Sequence, residues 1–295
     1  MGSYGDPEET CRRTGLVSPA VDALTQVDKW PVENVAVAVV EPDGVRAWRG
    51  DEGREFRWAS ITKLAVALAT LVAAEEGVLD LDEPAGPEGS TVRHLLAHAS
   101  GLPFEGTTPI ARPGERRIYS NAGYETLAEH LARRAEMSFE EYFSEAILTP
   151  LDFSGELRGT AAGGLCGTLL DLIDLAREFM RPTLVAPETF AEATSVQFPG
   201  LVGVLPDFGR MDPNDWGLGF ELRDAKSPHW TGTRNSPRTY GHFGGSGAFL
   251  WVDPEAEIAL GVLTDRQFDE WQAEAKRLWP DLSDAVLAAI GPASG

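Results

Sequence analysis

Apolar and polar positions divide the chain into stretches of distinct texture. Val35-Ala-Val-Ala-Val-Val40 is a short apolar run with β-branched residues. Pro42-Asp43-Gly44 supplies a turn, and Val45-Arg-Ala-Trp-Arg49 alternates, so the pair predicts a β-hairpin. Phe56-Arg57-Trp58 predicts a short strand leading into Ser60. From Ser60 to about Glu76 the chain is apolar nearly all round, as in a helix buried on every side, and Gly77 ends it. Before the hairpin, residues 1–17 read as a loose polar tail. Ser18 and Pro19 open a first helix over 18–30 as N-cap and first helical residue.

Beyond the apolar helix, Ser90 or Thr91 caps a short helix over Val92–Ala99, stopped by Gly101 and Pro103. Residues 104–117 form a Gly/Pro/Thr loop. Helical periodicity returns over 123–136, 138–147, 168–180 and 187–194. Past residue 200 the runs Gly217–Leu222, Gly247–Val252 and Ile258–Leu263 read as strands, with a turn at Asp253-Pro254-Glu255. Phe268–Ile290 reads as a final helix that Pro280 can break. Strands at both ends with helices between predict an α/β (α+β) architecture. One antiparallel sheet is flanked by terminal helices, and a mostly helical domain is inserted. The expected division is a tail over 1–17, a sheet domain over 18–58 and 210–295, and a helical domain over 59–209. A small-molecule site is expected in the cleft between the two domains.

Composition narrows the function classes. Net charge is −21, from 46 acidic and 25 basic residues in 295, spread along the chain. That balance disfavours nucleic acid and anionic membrane as partners. No apolar run reaches membrane-spanning length, and no basic segment followed by an apolar one opens the chain. The expectation is a soluble cytoplasmic protein; removal of a signal peptide from an exported precursor would leave the same picture. Cys11 and Cys166 are expected as free thiols, with Cys166 buried and inert.

The chemistry starts with Ser60-x-x-Lys63. Residues three apart on a helix share a face. A hydroxyl at a helix N-terminus feels the positive end of the dipole, and burial lowers a lysine pKa until the amine can accept a proton near neutrality. The competing reading is a capping serine and a snorkelling lysine. Tyr119-Ser120-Asn121 is a second constellation. A tyrosine beside a lysine ammonium can be held as phenolate and serve as general base and acid, and the asparagine can hold the lysine and a substrate carbonyl. Alone, it is a helix-capping turn. The third is His242-Phe243-Gly244-Gly245-Ser246-Gly247 at the start of a strand, where glycines let a ligand approach the backbone. The N–H groups of Ser60 and Gly245 can form an oxyanion hole.

Together and in this order, the motifs resemble S-x-x-K, Y-x-N and [KH]-x-G of the penicillin-recognising serine hydrolases. The likeness is to the β-lactamase-like branch of class C β-lactamases, D-Ala-D-Ala carboxypeptidases and related esterases. Thr91–Pro103, Gly163-Gly164-Leu165 and Trp216-Gly-Leu-Gly-Phe220 agree with it, and it extends over roughly residues 20–275. The resemblance implies a β-lactamase/transpeptidase-like fold and hydrolysis of an ester, amide or β-lactam through an acyl-enzyme on Ser60. Lys63 would activate the serine and Tyr119 would shuttle the proton. Asn121 would position the substrate, His242 would stand beside its carboxylate, and Gly244 and Gly245 would border the oxyanion site. Histidine replaces the lysine of class C β-lactamases there, which favours an esterase or amidase over a β-lactamase. A binding or sensor domain that is acylated without turnover is the reading from another class. No metal or cofactor is implied.

Several further residues were candidates. Phe104, Trp216, Phe220, Trp230 and Phe243 are aromatic candidates for an acyl pocket, with Phe104 and Phe243 nearest the motifs. His94 and His98 have a zinc-compatible spacing but no third ligand, so a structural role is expected. Arg112, Arg116 and Arg117 have two readings, contact with an anionic substrate or capping of a loop in an acidic protein, and the loop cap is expected.

Overall fold

A computed structural model describes residues 19–290. The expected tail, the Ser18 cap and Cys11 lie outside the described residues. The architecture is the expected α/β one, built on a six-stranded antiparallel sheet. Its strands are β1 (Val35–Glu41), β2 (Gly44–Arg49), β8 (Glu221–Leu222), β9 (Tyr240–Gly244), β10 (Ala248–Asp253) and β11 (Ile258–Thr264). The spatial order is β2-β1-β11-β10-β9-β8. The N-terminal hairpin thus pairs with the last strand: Val37 lies opposite Val262, and Val39 opposite Leu260.

The central strands are apolar throughout because both faces are covered. Side chains still alternate. Val37, Val39, Phe249 and Trp251 enter one core with Leu24, Trp279 and Leu282 of the terminal helices. Ala36, Ala38, Leu250 and Val252 enter the other with Leu172 and Ala176. The terminal helices are Pro19–Leu24 and Gln272–Ile290, and they pack on each other. The helix Leu169–Met180 covers the opposite face.

The second layer is mostly helical. At its centre runs Thr62–Glu75, whose residues Thr62 to Ala73 are all buried. Burial of Leu64, Leu68 and Leu71 contributes about 1.5–3 kcal/mol each. Around it stand Asn121–Ala135, Phe139–Phe143 and a small sheet of β3 (Phe56–Arg57), β4 (Glu156–Leu157) and β5 (Leu165–Gly167), ordered β3-β5-β4. A two-stranded ribbon, β6 (Gly203–Leu205) and β7 (Gly209–Met211), lies at the edge of the cleft.

Three local expectations are corrected. The Thr91-capped helix ends at Leu96 instead of Ala99, because His98 takes a left-handed conformation (φ 54°) that turns the chain. Residues 217–220 are a turn, closed by Gly217 N–H donating to Phe220 O at 2.8 Å, and only Glu221–Leu222 is strand. Gly219 (φ 89°) sits so close to the buried helix that a Cβ would lie 2.2 Å from that of Ala67. Pro280 does not break the last helix, whose neighbours Trp279, Leu282 and Val286 are held in the core. No helix among the described residues is long and apolar enough to cross a membrane.

Candidate active site

Ser60 does not lie in the long helix itself. It occupies a 3₁₀ turn, Ala59–Ile61, between β3 and Thr62. Ala59 before it has a left-handed backbone (φ 46°), which costs energy in any residue with a Cβ and marks a strained turn. The turn is anchored on both sides. Trp58 N–H donates to Leu165 O at 3.0 Å, and Leu165 N–H donates to Thr62 Oγ1 at 3.0 Å. The Gly163-Gly164-Leu165 segment therefore braces the serine from behind.

Lys63 is wholly buried, and its Nζ has three partners. It lies 2.6 Å from Ala162 O, 2.8 Å from Asn121 Oδ1 and 3.2 Å from Ser60 Oγ. Burial pushes its pKa down to about 7, against an upward pull from the Glu125 carboxylate. Glu125 also shapes this corner directly, since its Oε1 accepts the Ala162 N–H at 2.9 Å. The carboxylate thus holds the same peptide group whose neighbouring carbonyl receives the amine. Asn121 and Glu125 are four apart on one helix and so share a face. That spacing is the only sequence signal for Glu125, which sequence reasoning missed.

Tyr119 closes the site from the other side. Its segment is tied down by His98, whose Nδ1 accepts Ser120 N–H at 3.1 Å and whose ring lies 4.6 Å from that of Tyr119. Ser120 caps the Asn121 helix through Gly123 N–H, and Asn121 and Ala122 N–H both donate to Phe104 O. Trp216 and His242 complete the aromatic cage around Tyr119 at 5.9 and 5.6 Å. Lys63 Nζ lies 5.0 Å from the Tyr119 ring centre. Burial raises the Tyr119 phenol, with a hydrogen bond to Ser60 pulling back only in part. The expected phenolate is therefore corrected to a neutral phenol, because desolvation outweighs that hydrogen bond.

His242 lies within β9, opposite Leu250, and not at the start of the next strand; Gly245–Gly247 form the hairpin turn between them. Gly244 permits this placement: a Cβ there would lie 2.4 Å from Trp58 O and 3.2 Å from Ser60 N. Gly245 is exposed beside the same cavity as Ser60. His242 Nδ1 lies 2.6 Å from Phe243 O, an atom that only accepts, so Nδ1 carries the proton. Nε2 is then a lone pair, buried and without a hydrogen-bond partner. Burial and the Lys63 charge push the imidazole down to about 3. Near neutral pH the ring is therefore uncharged and offers no cation to a carboxylate.

The cavity at Ser60 has a volume of about 140 Å³. Phe104, Trp216 and Phe243 line it with Leu205, Pro206 and Phe268. Phe220 and Trp230 are core instead: Phe220 packs on Phe179 and Phe190, and Trp230 on Phe249. Glu221 borders the cavity floor, and sequence reasoning missed it, although a carboxylate in an apolar strand-like run was visible. Its oxygens meet Lys226 Nζ at 2.5 Å, His229 Nε2 at 2.8 Å and Trp230 Nε1 at 2.7 Å. Burial pushes this carboxyl up, but its cationic and donor partners outweigh that and keep it ionised.

The remaining candidates fall outside the reaction centre. His94 stacks on Phe198 at 4.2 Å and meets Thr91 Oγ1 at 2.9 Å, away from His98's role under Tyr119. Among the described residues no cluster of His, Cys, Asp and Glu can hold a metal ion. Arg117 is buried and donates to Asn214 O at 3.0 Å, Gln197 O at 2.7 Å, Phe198 O at 3.3 Å and also to Ala97 O. It is a clasp on four carbonyls rather than a surface cap. Arg112 is exposed and pairs with Glu115. Cys166 is a free, buried thiol raised by burial.

Comparison with known proteins agrees with this architecture. The sequence model of the family described as Beta-lactamase matches residues 25–281. A crystal structure of a β-lactamase from Mycobacterium bovis is 53% identical, with a TM-score of 0.88 over 91% of this chain and 99% of that one. EstCE1, a hydrolase with promiscuous acyltransferase activity, has the same fold at 17% identity, with a TM-score of 0.74 over 91% of this chain and 97% of that one. Penicillin-binding protein 4* of Bacillus subtilis is 29% identical over 128 residues, 32% of this chain and 28% of that longer protein.

Proposed function

The chain belongs to the Beta-lactamase family, and from that membership and the geometry of its cleft we propose that it is a serine hydrolase acting on small-molecule esters of short acyl groups. The observation that carries this reading is Lys63, a buried amine with a pKa of about 7, 3.2 Å from the Ser60 hydroxyl.

In this reading neutral Lys63 takes the Ser60 proton as Oγ bonds to the substrate carbonyl carbon. The oxyanion is held by the N–H groups of Ser60 and Gly245. Collapse breaks the bond to the leaving oxygen, which receives a proton from the Tyr119 phenol, and Lys63 resupplies that proton. Water then attacks the acyl-enzyme, giving its proton to the same pair. The acid leaves and Ser60 regains its hydrogen. The ester preference rests on two further features: a cavity of about 140 Å³ with aromatic and aliphatic walls, and a neutral His242 that offers a lone pair where a carboxylate would need a cation.

A second reading, β-lactam hydrolysis, draws support from the 53% identical Mycobacterium bovis protein, described as a β-lactamase. One panel separates the two: p-nitrophenyl esters of increasing acyl length, nitrocefin and D-alanyl peptides, ranked by kcat/KM. Acetyl and butyryl esters should lead. Mass addition from a fluorophosphonate should map to Ser60 and vanish in Ser60→Ala. Labelling that persists in Ser60→Ala, or nitrocefin at the head of the ranking, would overturn the ester reading.

A further inference from the structure

Beyond the small cavity a second, larger depression opens over the far side of Tyr119. It has a volume of about 660 Å³ and shares Phe104, Tyr119 and Pro206 with the first. Ser60 borders only the small cavity, whereas the tyrosine borders both. A substrate that straddles Tyr119 therefore has its acyl group beside Ser60 and its alcohol portion in the larger groove.

Two properties of this groove are unusual for the molecule. Large hydrophobic side chains exposed by a third or more number five among the described residues, and three of them, Phe104, Ile110 and Val204, line it. Apolar groups gathered at one depression next to a reaction centre mark a binding surface rather than scattered surface residues. Arg116 and Arg210 also line it, in a chain where acidic residues outnumber basic ones by 46 to 25. Arg210 shares its charge with Asp212 at 3.4 Å, and the Arg116 guanidinium donates to Ile110 O at 3.1 Å and interacts electrostatically with the Glu115 carboxylate. The expected loop-capping role of Arg116 is thus part of its placement, on the rim of the groove.

Resting on the ester reading above, we infer that the groove over Tyr119 binds an elongated apolar alcohol portion ending in an anionic group, with Arg116 and Arg210 receiving the anion. The preferred substrate class is then a short-acyl ester of an ω-carboxylated alkyl alcohol. Bond cleavage releases that alcohol, with its oxygen protonated by Tyr119, and the acid follows on hydrolysis. Charge is carried at the distal end of the alcohol, so it does not meet the lone pair of His242.

The experiment compares hexyl acetate with 6-acetoxyhexanoate, with p-nitrophenyl acetate as a reference for the Ser60 chemistry alone. Wild type should prefer the carboxylated ester. In the Arg116→Gln/Arg210→Gln double variant the kcat/KM ratio of carboxylated to neutral ester should fall about fivefold, the scale of two exposed charge contacts. The p-nitrophenyl acetate rate of the same variant normalises both esters for the Ser60 chemistry, and added salt should reduce the wild-type preference. A parallel titration of the wild type and Val204→Asp with octanoate and octan-1-ol reads binding without turnover. Octanoate should bind more tightly to wild type and lose affinity in Val204→Asp. If hexyl acetate equals or beats its carboxylated partner, or octanol binds as well as octanoate, the inference falls. Absence of all ester turnover with octanoate binding intact would instead remove the ester reading and leave the groove's anion preference standing.

Discussion

Lys63 Nζ stands 3.2 Å from Ser60 Oγ, farther than from either of its other oxygen partners. The Ala162 carbonyl and the Asn121 Oδ1 can only accept, so each takes an N–H. When the amine is neutral, its lone pair is what remains for the serine hydroxyl. In the proposed mechanism, the contact that is longest in the resting site is therefore the one through which the proton leaves Ser60.

The rate should follow the ionisation of that amine. Its pKa is lowered from the ordinary lysine range to about 7, so the reactive neutral form predominates above that pH and is lost below it. A plot of kcat/KM against pH should fall on the acid side of about 7. Lys63→Met should abolish that limb and lower kcat/KM by about 10²–10⁴-fold. A wild-type profile flat from pH 5 to 9 would count against Lys63 as the base.

Glu125 tunes this ionisation through space. Its carboxylate raises the Lys63 pKa and its Oε1 accepts Ala162 N–H at 2.9 Å. Glu125→Gln keeps an acceptor oxygen and deletes the charge. The acid limb of the pH profile should move to lower pH, with little change in the plateau. An unmoved limb together with a lowered plateau would assign Glu125 a purely structural part.

Burial raises the Tyr119 pKa and keeps the group a neutral phenol. In the proposed mechanism its contribution is a proton to the departing oxygen, which matters most for poor leaving groups. Tyr119→Phe should slow alkyl esters by about 10²–10⁴-fold and p-nitrophenyl esters much less. Equal losses on both series would remove Tyr119 from proton delivery.

His242 sets the charge of the acceptor side. Its Nδ1 proton is spent on Phe243 O and its Nε2 has no proton to give. His242→Lys places an ammonium there, and the ratio of nitrocefin to p-nitrophenyl acetate kcat/KM should rise about tenfold, the scale of one charged hydrogen bond. Crowding of two amines should also lower the Lys63 pKa, moving the acid limb down.

Arg117 holds loops of both sides of the cleft through carbonyls at 97, 197, 198 and 214. Arg117→Ala leaves these acceptors buried without donors, at about 1–3 kcal/mol for each that water cannot reach. Urea unfolding should show a loss of at least about 3 kcal/mol. A loss below about 1 kcal/mol would mean that solvent replaces the guanidinium.

Much of the site was legible in the sequence because its signals are local. Three short motifs, a helix apolar on all sides and turn residues at strand ends are properties of neighbours in the chain. Local backbone preferences and side-chain periodicity follow from them. They gave the hairpin 35–49, the Ser60–Glu76 helix to within a turn, and the pairing of Ser60 with Lys63. Local signals failed where backbone geometry overrode the pattern, at the 217–220 turn, at His98 and through Pro280.

What only the tertiary structure decided are the properties that arise between distant segments. The amine of Lys63 is met by a main-chain oxygen 99 positions away, and a carbonyl carries no mark of its role in the sequence. Whether a tyrosine is phenol or phenolate, and which nitrogen of His242 bears a proton, depend on desolvation and on partners that folding assembles. The same holds for the groove rimmed by Arg116 and Arg210, which joins the loop before Tyr119 to the β6–β7 ribbon. The sequence determined which groups were available for chemistry; packing decided their charge, their distance and what they leave room for.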